Sequence, residues 1–313
     1  MSICIRDALL IKYQIFIDDF STNDGFHFLT HAHQDHMVGL TKTFTSDIYT
    51  SKITRDLVMF QKPKFASDRF IIVKKRHELL PNIFVTTIDS NHCIGSVMFL
   101  FELDHQRLLY TGDFKWHEEM KYIKNIDNIY FDDTLFSMNY NGLYPSKQDT
   151  FETMLSTILK IRKSDQDANI FINTQILGLE EILIKLSLFL KEQFMISKGL
   201  IGNFRSLQLN YLLGKYITFQ KSNLILANKS LDDTNQNQWI FPTSLHFLCL
   251  DKNPKFKDIP TNHHYVWLCT HANKEDVDNL TRVTNAKEVI GCQYSIANLK
   301  CIKKDSKKDL KKY

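Results

Sequence analysis

Four side chains able to hold a metal ion fall within six residues, His31, His33, Asp35 and His36 of the segment His31-Ala32-His33-Gln34-Asp35-His36. Imidazole nitrogens joined by a carboxylate, with no thiolate, suit zinc or a similar borderline cation used for hydrolysis, not a cysteine-rich structural site. So many ligands on so short a stretch converge only where the chain wraps around a cation. One such cluster cannot complete two coordination shells, so partners must come from elsewhere. Asp89-Ser90-Asn91-His92-Cys93-Ile94-Gly95-Ser96 offers His92, and Leu109-Tyr110-Thr111-Gly112-Asp113-Phe114 offers Asp113. Together they supply a further histidine and a bridging carboxylate.

Each of these groups sits where a strand is expected to end. The β-branched and aromatic runs Phe26 to Thr30, Ile83 to Ile88, Val97 to Glu102, Arg107 to Tyr110 and Ile129 to Phe131 read as strands. Lys52 to Phe60 reads as a helix capped by Ser51. Beyond Tyr144 the pattern changes. Ser146 with Asp149 three residues on is a helix start, and Phe151, Met154, Leu155, Ile158 and Leu159 follow helical spacing. A strand from Asn169 to Asn173, amphipathic stretches at Leu179 to Glu192 and Phe204 to Tyr216, a polar loop from Ser230 to Gln238, and strands at Leu245 to Leu250 and His264 to Cys269 complete an α/β alternation with some parallel pairing.

The chain has 313 residues, 43% of them hydrophobic, enough for one large domain or two smaller ones. Six scattered cysteines (Cys4, Cys93, Cys249, Cys269, Cys292, Cys301) form no CxxC pair, the pattern of reduced thiols in a cytosolic or nuclear protein. No apolar run approaches membrane-spanning length, and the first residues lack the apolar core of a signal peptide, so neither a membrane role nor secretion is expected. The formal charge of +4 is concentrated in a tail from Lys300 to Tyr313 with seven lysines against Asp305 and Asp309. That tail is expected to be a disordered solvated end, with nuclear import or phosphate tracking as alternatives.

In this order and spacing, HxHxDH, the histidine of NHCIGSVMFLFE and the aspartate of LYTGDFK resemble the motifs of the metallo-β-lactamase fold. Their flanks are similar to the β-CASP nucleases of the DNA cross-link repair family, Artemis and Apollo among them. The likeness includes IDDF at Ile17 to Phe20, IYTSKIT at Ile48 to Thr54, IYFDDT at Ile129 to Thr134, YPSKQ at Tyr144 to Gln148 and LCTH at Leu268 to His271. It is strong from Ile15 to Gln148 and traceable to Gly291.

The resemblance implies an αββα sandwich of the metallo-β-lactamase type with an inserted α/β β-CASP domain. Residues 1–144 and 263–298 would form the two parts of the first domain, 145–262 the insertion and 299–313 the basic tail. It implies one metal held by His31, His33, His92 and Asp113, and a second held by Asp35, His36, the shared Asp113 and His271. Asp18, with Asp19 as its rival, and Asp132 would orient the ligand histidines. Zinc is the implied cofactor, as one or two ions, with magnesium or manganese an alternative at the second position.

The implied reaction is phosphodiester hydrolysis by a water activated between two cations. The substrate would be DNA with single-stranded, overhanging or damaged ends, processed by 5′ exonuclease or structure-selective endonuclease action in cross-link or end repair. A nuclear monomer, with repair or telomere proteins as partners of unknown identity, completes that picture. The alternatives are an RNA-cleaving or small-substrate hydrolase of the same fold, or a non-catalytic repair scaffold.

Two departures concern the substrate. Relatives that digest from a 5′-phosphorylated end carry a lysine in an LGKE-like segment and serines after the last histidine. In this resemblance the matching positions are Leu179 and Ala272. Neither side chain can bind phosphate, and Lys274 is the nearest replacement charge. A basic stripe for nucleic acid would have to assemble from Lys62, Lys64, Lys74, Lys75, Arg76 and Lys115.

Overall fold

The computed structural model describes residues 7–65, 67–135, 144–174, 177–196, 215–218, 220–227, 237–243 and 261–292. Contacts divide the chain into two compact units, Met1–Asn139 with Thr270–Tyr313, and Tyr140–Cys269.

In the first unit the chain builds two sheets. Strands β1 (Ile15–Ile17), β2 (Phe26–Phe28), β3 (Ile48–Thr50) and β4 (Phe70–Ile72) lie side by side in that order, all parallel. The second sheet runs β16-β9-β8-β7-β6-β5. Its members are β5 (Arg76–Leu80), β6 (Ile83–Asp89), β7 (Val97–Leu103), β8 (Gln106–Tyr110), β9 (Asn128–Phe131) and β16 (Glu288–Gly291). The β5 to β8 stretch is an antiparallel meander, and β8, β9 and β16 are parallel.

The unbroken apolar run Val97-Met98-Phe99-Leu100-Phe101 reflects burial of β7 on both faces. Phe99 and Phe101 point into the core between the sheets with Ile15, Ile17, Phe28 and Tyr49. Met98 and Leu100 point the other way, toward Met120, Ile123, and Val277 and Leu280 of a C-terminal helix. Together with α1 (Ala8–Lys12) and α2 (Lys52–Gln61), this is the helix-flanked two-sheet sandwich of a metallo-β-lactamase fold.

The second unit has one fully parallel sheet in the order β12-β11-β13-β10-β14-β15. Its strands are β10 (Ile170–Asn173), β11 (Phe194–Ile196), β12 (Ile217–Thr218), β13 (Leu224–Ala227), β14 (Gln238–Thr243) and β15 (His263–Trp267). Helices α3 (Lys147–Ser164) and α4 (Glu180–Leu190) cover one face. Helix α3 starts in a full Ser146/Asp149 capping box and buries Met154, Ile158 and Ile161, spaced to share one helical face.

The sequence placed the domain boundaries at 144/145 and 262/263. The contacts divide the chain at 139/140 and 269/270, and β15 pairs with β14 inside the second unit. Residues 204–214 of the third amphipathic stretch, the strand expected at Leu245 to Leu250 and the basic tail lie outside the described residues, as does most of the loop from Ser230.

Candidate metal centre

All the predicted site residues lie in the first unit, on loops leaving the carboxyl ends of strands. The chain from β2 carries His31 and His33 and turns through a 3-10 segment, Asp35–Met37, that buries His36. The β6–β7 loop carries His92, and the turn after β8 carries Asp113. Gly112 there has φ +52°, and an added Cβ would meet Thr30 Cγ2 at 2.8 Å. Only glycine lets the two ligand-bearing loops approach this closely.

The core of the cluster is tight. His33 Nδ1 lies 2.8 Å from His31 Nε2 and 3.1 Å from His92 Nε2. Asp113 Oδ2 lies 3.6 Å from His31 Nε2 and 3.4 Å from His92 Nε2. Ligands about 2.0–2.1 Å from a tetrahedral zinc ion are separated by about 3.4 Å, so these four atoms mark the corners of such a shell. His31, His92 and Asp113 are buried, and these four residues form a group that could hold a metal ion.

The outer nitrogens show what this convergence means. Thr30 Oγ1 donates to Asp18 Oδ2 at 2.8 Å and so accepts from His31 Nδ1 at 3.0 Å. His92 Nδ1 donates to the Thr270 carbonyl at 2.9 Å. Both rings therefore aim unprotonated Nε2 lone pairs at one point, alongside His33 Nδ1 and a carboxylate oxygen. Three imidazole nitrogens and a carboxylate oxygen at this spacing are donor chemistry that fits zinc. Burial lowers the pKa of His31 and of His92 well below the usual histidine value, which keeps these rings neutral.

The second predicted set is looser. His36 donates from Nδ1 to Asp18 Oδ2 at 2.8 Å, which turns Nε2 toward Asp113 Oδ1 at 3.4 Å and Asp35 Oδ2 at 3.9 Å. His271 Nδ1 lies 2.7 Å from Asp132 Oδ2 and 3.7 Å from Asp113 Oδ2. Asp113, Asp132 and His271 form another group that could hold a metal ion, so Asp132 stands among the ligand candidates as well as beside His271. The Asp35 carboxylate is largely exposed, at 62%. Asp113 thus presents Oδ1 to His36 and Oδ2 to the other histidines, a bridging arrangement.

Charge is arranged to match. Burial opposes protonation of His36, but the Asp113 and Asp18 carboxylates outweigh it and raise its pKa well above the usual value. Burial opposes protonation of His271 too, and Asp113 and Asp132 push it up to about 9. Burial would raise Asp113, yet the facing charges of His36 and His271 hold it well below the usual carboxylate range.

Asp18, not Asp19, carries the buried contacts. Asp18 is 1% exposed with φ +52°, and its Oδ1 also accepts the Thr30 amide at 2.8 Å. The Asp19 carboxylate accepts from the Ser21 amide at the surface.

Several supporting residues were not read from the sequence. Gln61 donates to the Ala32 carbonyl at 2.9 Å, between His31 and His33. Ser51 and Thr54 donate to the Gly95 carbonyl in the His92 loop at 2.7 and 2.8 Å. IYTSKIT thus has two roles, since Ser51 also caps α2. Lys115 and Asp276 form a buried ion pair at 2.7 Å. This removes Lys115 from the basic stripe expected from sequence: its charge points inward to the first turn of the C-terminal helix α5 (Lys274–Thr284). Arg76 is bound to Glu102 at 2.6 Å.

No family model matches the chain. Over 188 residues it is 34% identical to the chicken protein named 5′ exonuclease Apollo, which covers 58% of this chain and 40% of that one. It is 28% identical over 241 residues to the Saccharomyces cerevisiae DNA cross-link repair protein PSO2/SNM1, covering 59% of this chain and 36% of that one. The mouse DNA cross-link repair 1A protein is 28% identical over 168 residues, with 51% and 16% covered. The chain is thus similar to a 5′ exonuclease and to DNA cross-link repair proteins. It spans well under half the length of these relatives. Its fold is also that of an Enterococcus faecalis protein of unknown function, with TM-score 0.59, 15% identity, and 85% of this chain and 74% of that one covered.

The two departures from the cross-link repair pattern are buried. Leu179 is 3% exposed, packed in the core of the second unit just before α4. Ala272 is fully buried among Met98, Leu100 and Val277. Lys274 is at the surface, paired with Asp278 at 2.5 Å.

Proposed function

We propose that the protein is a metal-dependent DNA nuclease of the cross-link and end-processing repair class, acting in the nucleus, with zinc in the centre. The observation that carries the reading is the convergence of His31 Nε2, His33 Nδ1, His92 Nε2 and Asp113 Oδ2, with proton positions on His31 and His92 fixed from outside. His31, His33, His92 and Asp113 would hold one cation, and Asp35, His36, Asp113 and His271 a second. Cations bound there would lower the pKa of water and offset charge on a phosphodiester. The second unit is the β-CASP insertion on this reading.

The chain's own groups do the rest. Asp113 gives one oxygen to each half of the centre. Asp18 fixes the ring of His36, and Asp132 fixes that of His271. Of the ring histidines flanking Asp113, His271 retains 26% side-chain exposure. With Leu179 and Ala272 both buried, neither position offers a contact to a 5′-phosphate, so cleavage of 5′-hydroxyl and 5′-phosphate ends at similar rates is expected.

Side-by-side rates on single-stranded DNA, the same sequence in RNA, and a chromogenic lactam test the reading. DNA cleavage that is lost in His33→Ala supports it. Hydrolysis confined to RNA or the lactam overturns it.

A further inference from the structure

Thr30 precedes the candidate ligand cluster and contributes no ligand, yet it is 1% exposed and contacts Asp18, His31, Gly112 and Val97. Its amide and hydroxyl both donate to Asp18, at 2.8 Å each. Its hydroxyl oxygen accepts from His31 Nδ1 at 3.0 Å. Its methyl group packs where a Cβ on Gly112 would otherwise sit, next to Asp113. Its carbonyl accepts the Val97 amide, which ties it to β7.

The direction of these bonds follows from the carboxylate. An ionised Asp18 only accepts, so the one hydroxyl proton of Thr30 goes to Asp18 and the oxygen lone pair is left for His31. The same Oδ2 of Asp18 accepts from His36 Nδ1.

We propose that Thr30 is a positioning residue that relays Asp18 to His31, so that one buried carboxylate sets the proton position of a histidine in each half of the centre. His36 is set directly and His31 through the hydroxyl. The consequence for metal binding rests on the metal-centre reading, whereas the proton position does not.

The relay separates the two halves experimentally. Thr30→Val keeps the shape and the packing on Gly112 but deletes the acceptor for His31. The His31 proton then shifts toward Nε2 and competes with the cation, while His36 keeps its bond to Asp18. Affinity of the His31, His33, His92 and Asp113 set should fall about 10–100-fold, the usual effect of losing a group that orients a ligand histidine. Thr30→Ser retains the hydroxyl and should stay close to the natural protein.

The test is a long-range proton–nitrogen correlation spectrum of the metal-free full chain with nitrogen-labelled histidine, followed by competitive zinc and cobalt titration. The expected result is a His31 proton on Nδ1 in the natural protein and in Thr30→Ser. In Thr30→Val the His31 signal moves to Nε2, that of His36 is unchanged, and affinity drops at one set only. A His31 proton on Nε2 in the natural protein overturns the proposal, and this reading needs neither a variant that folds nor bound metal. Equal losses in Thr30→Val and Thr30→Ser would also overturn it, since bulk and not the hydroxyl would then matter. Absence of zinc binding by a protein with the expected proton positions would refute the metal reading and leave the relay standing.

Discussion

Replacing Lys115 by methionine removes the cation of a buried pair while keeping most of the side-chain volume. Lys115 Nζ and Asp276 Oδ2 are 2.7 Å apart, and each side chain is 10% exposed, so solvent screens the pair little. Taking one partner from a buried pair costs about 3–5 kcal/mol, mostly because the other charge stays behind. Here the residual charge retains two donors, the Asn273 amide at 2.8 Å and the Trp116 amide at 3.3 Å. The lower end, about 3 kcal/mol, therefore applies. At about 2–4 °C per kcal/mol this lowers Tm by about 6–12 °C.

The site should feel the change as well. Lys115 is two residues from Asp113, and Asp276 closes the capping box that begins two residues after His271. Scanning calorimetry of the metal-free protein is the assay. Lys115→Arg should recover most of the loss. Lys121→Met, whose pair with Glu118 spans 3.9 Å at the surface, should stay within about 0.5 kcal/mol. A Tm shift for Lys115→Met no larger than that of Lys121→Met would show that the buried pair does not hold the fold.

Asp18→Asn should lower metal affinity at both sets, about 10–100-fold, because Oδ2 accepts from His36 Nδ1 and the Thr30 hydroxyl and Oδ1 from the Thr30 amide, so an amide NH2 at either position faces a donor; competition with a chromogenic chelator reads this. Binding at the second set should release protons, because His36 is held protonated and His271 has its pKa pushed up to about 9. Its affinity should rise with pH until about 9 and weaken in acid, whereas the set containing the already neutral His31 and His92 should vary little above neutrality. Calorimetry in buffers of different ionisation enthalpy distinguishes the two binding events, and equal proton release in both would contradict the assignment. Leu179→Lys should destabilise the protein by several kcal/mol in urea unfolding and bring no preference for a 5′-phosphate, because the side chain enters the apolar core of the second unit.

What the sequence showed was mostly local. The His31-to-His36 segment places its candidate ligands within six residues, so their types and order already point to metal-dependent chemistry. The Ser146/Asp149 capping box and the doubly buried run of β7 are likewise visible because a cap or a pleat is set by neighbours three residues or fewer away. Short parallel strands such as β3, β4 and β11 were not separable from turns, because their stability comes from partners distant in the chain. The supports of the centre were hidden for the same reason. The bond from His92 to Thr270 spans 178 residues and that from Lys115 to Asp276 spans 161. Lys115 was misread as a surface charge because sequence shows a lysine without showing what surrounds it. Thr30 carried a signal that could have been used, a hydroxyl beside the first ligand histidine.

On the proposed function, Asp113, which faces His36 through one oxygen and the other histidines through the second, is required for phosphodiester hydrolysis. The direct measurement is cleavage of a 5′-labelled single-stranded DNA oligonucleotide by zinc-loaded protein, natural against Asp113→Asn. The expected result is cutting by the natural protein and a loss of at least about 1,000-fold in the variant, which keeps the shape but not the charge. Comparable cutting by both proteins would contradict it.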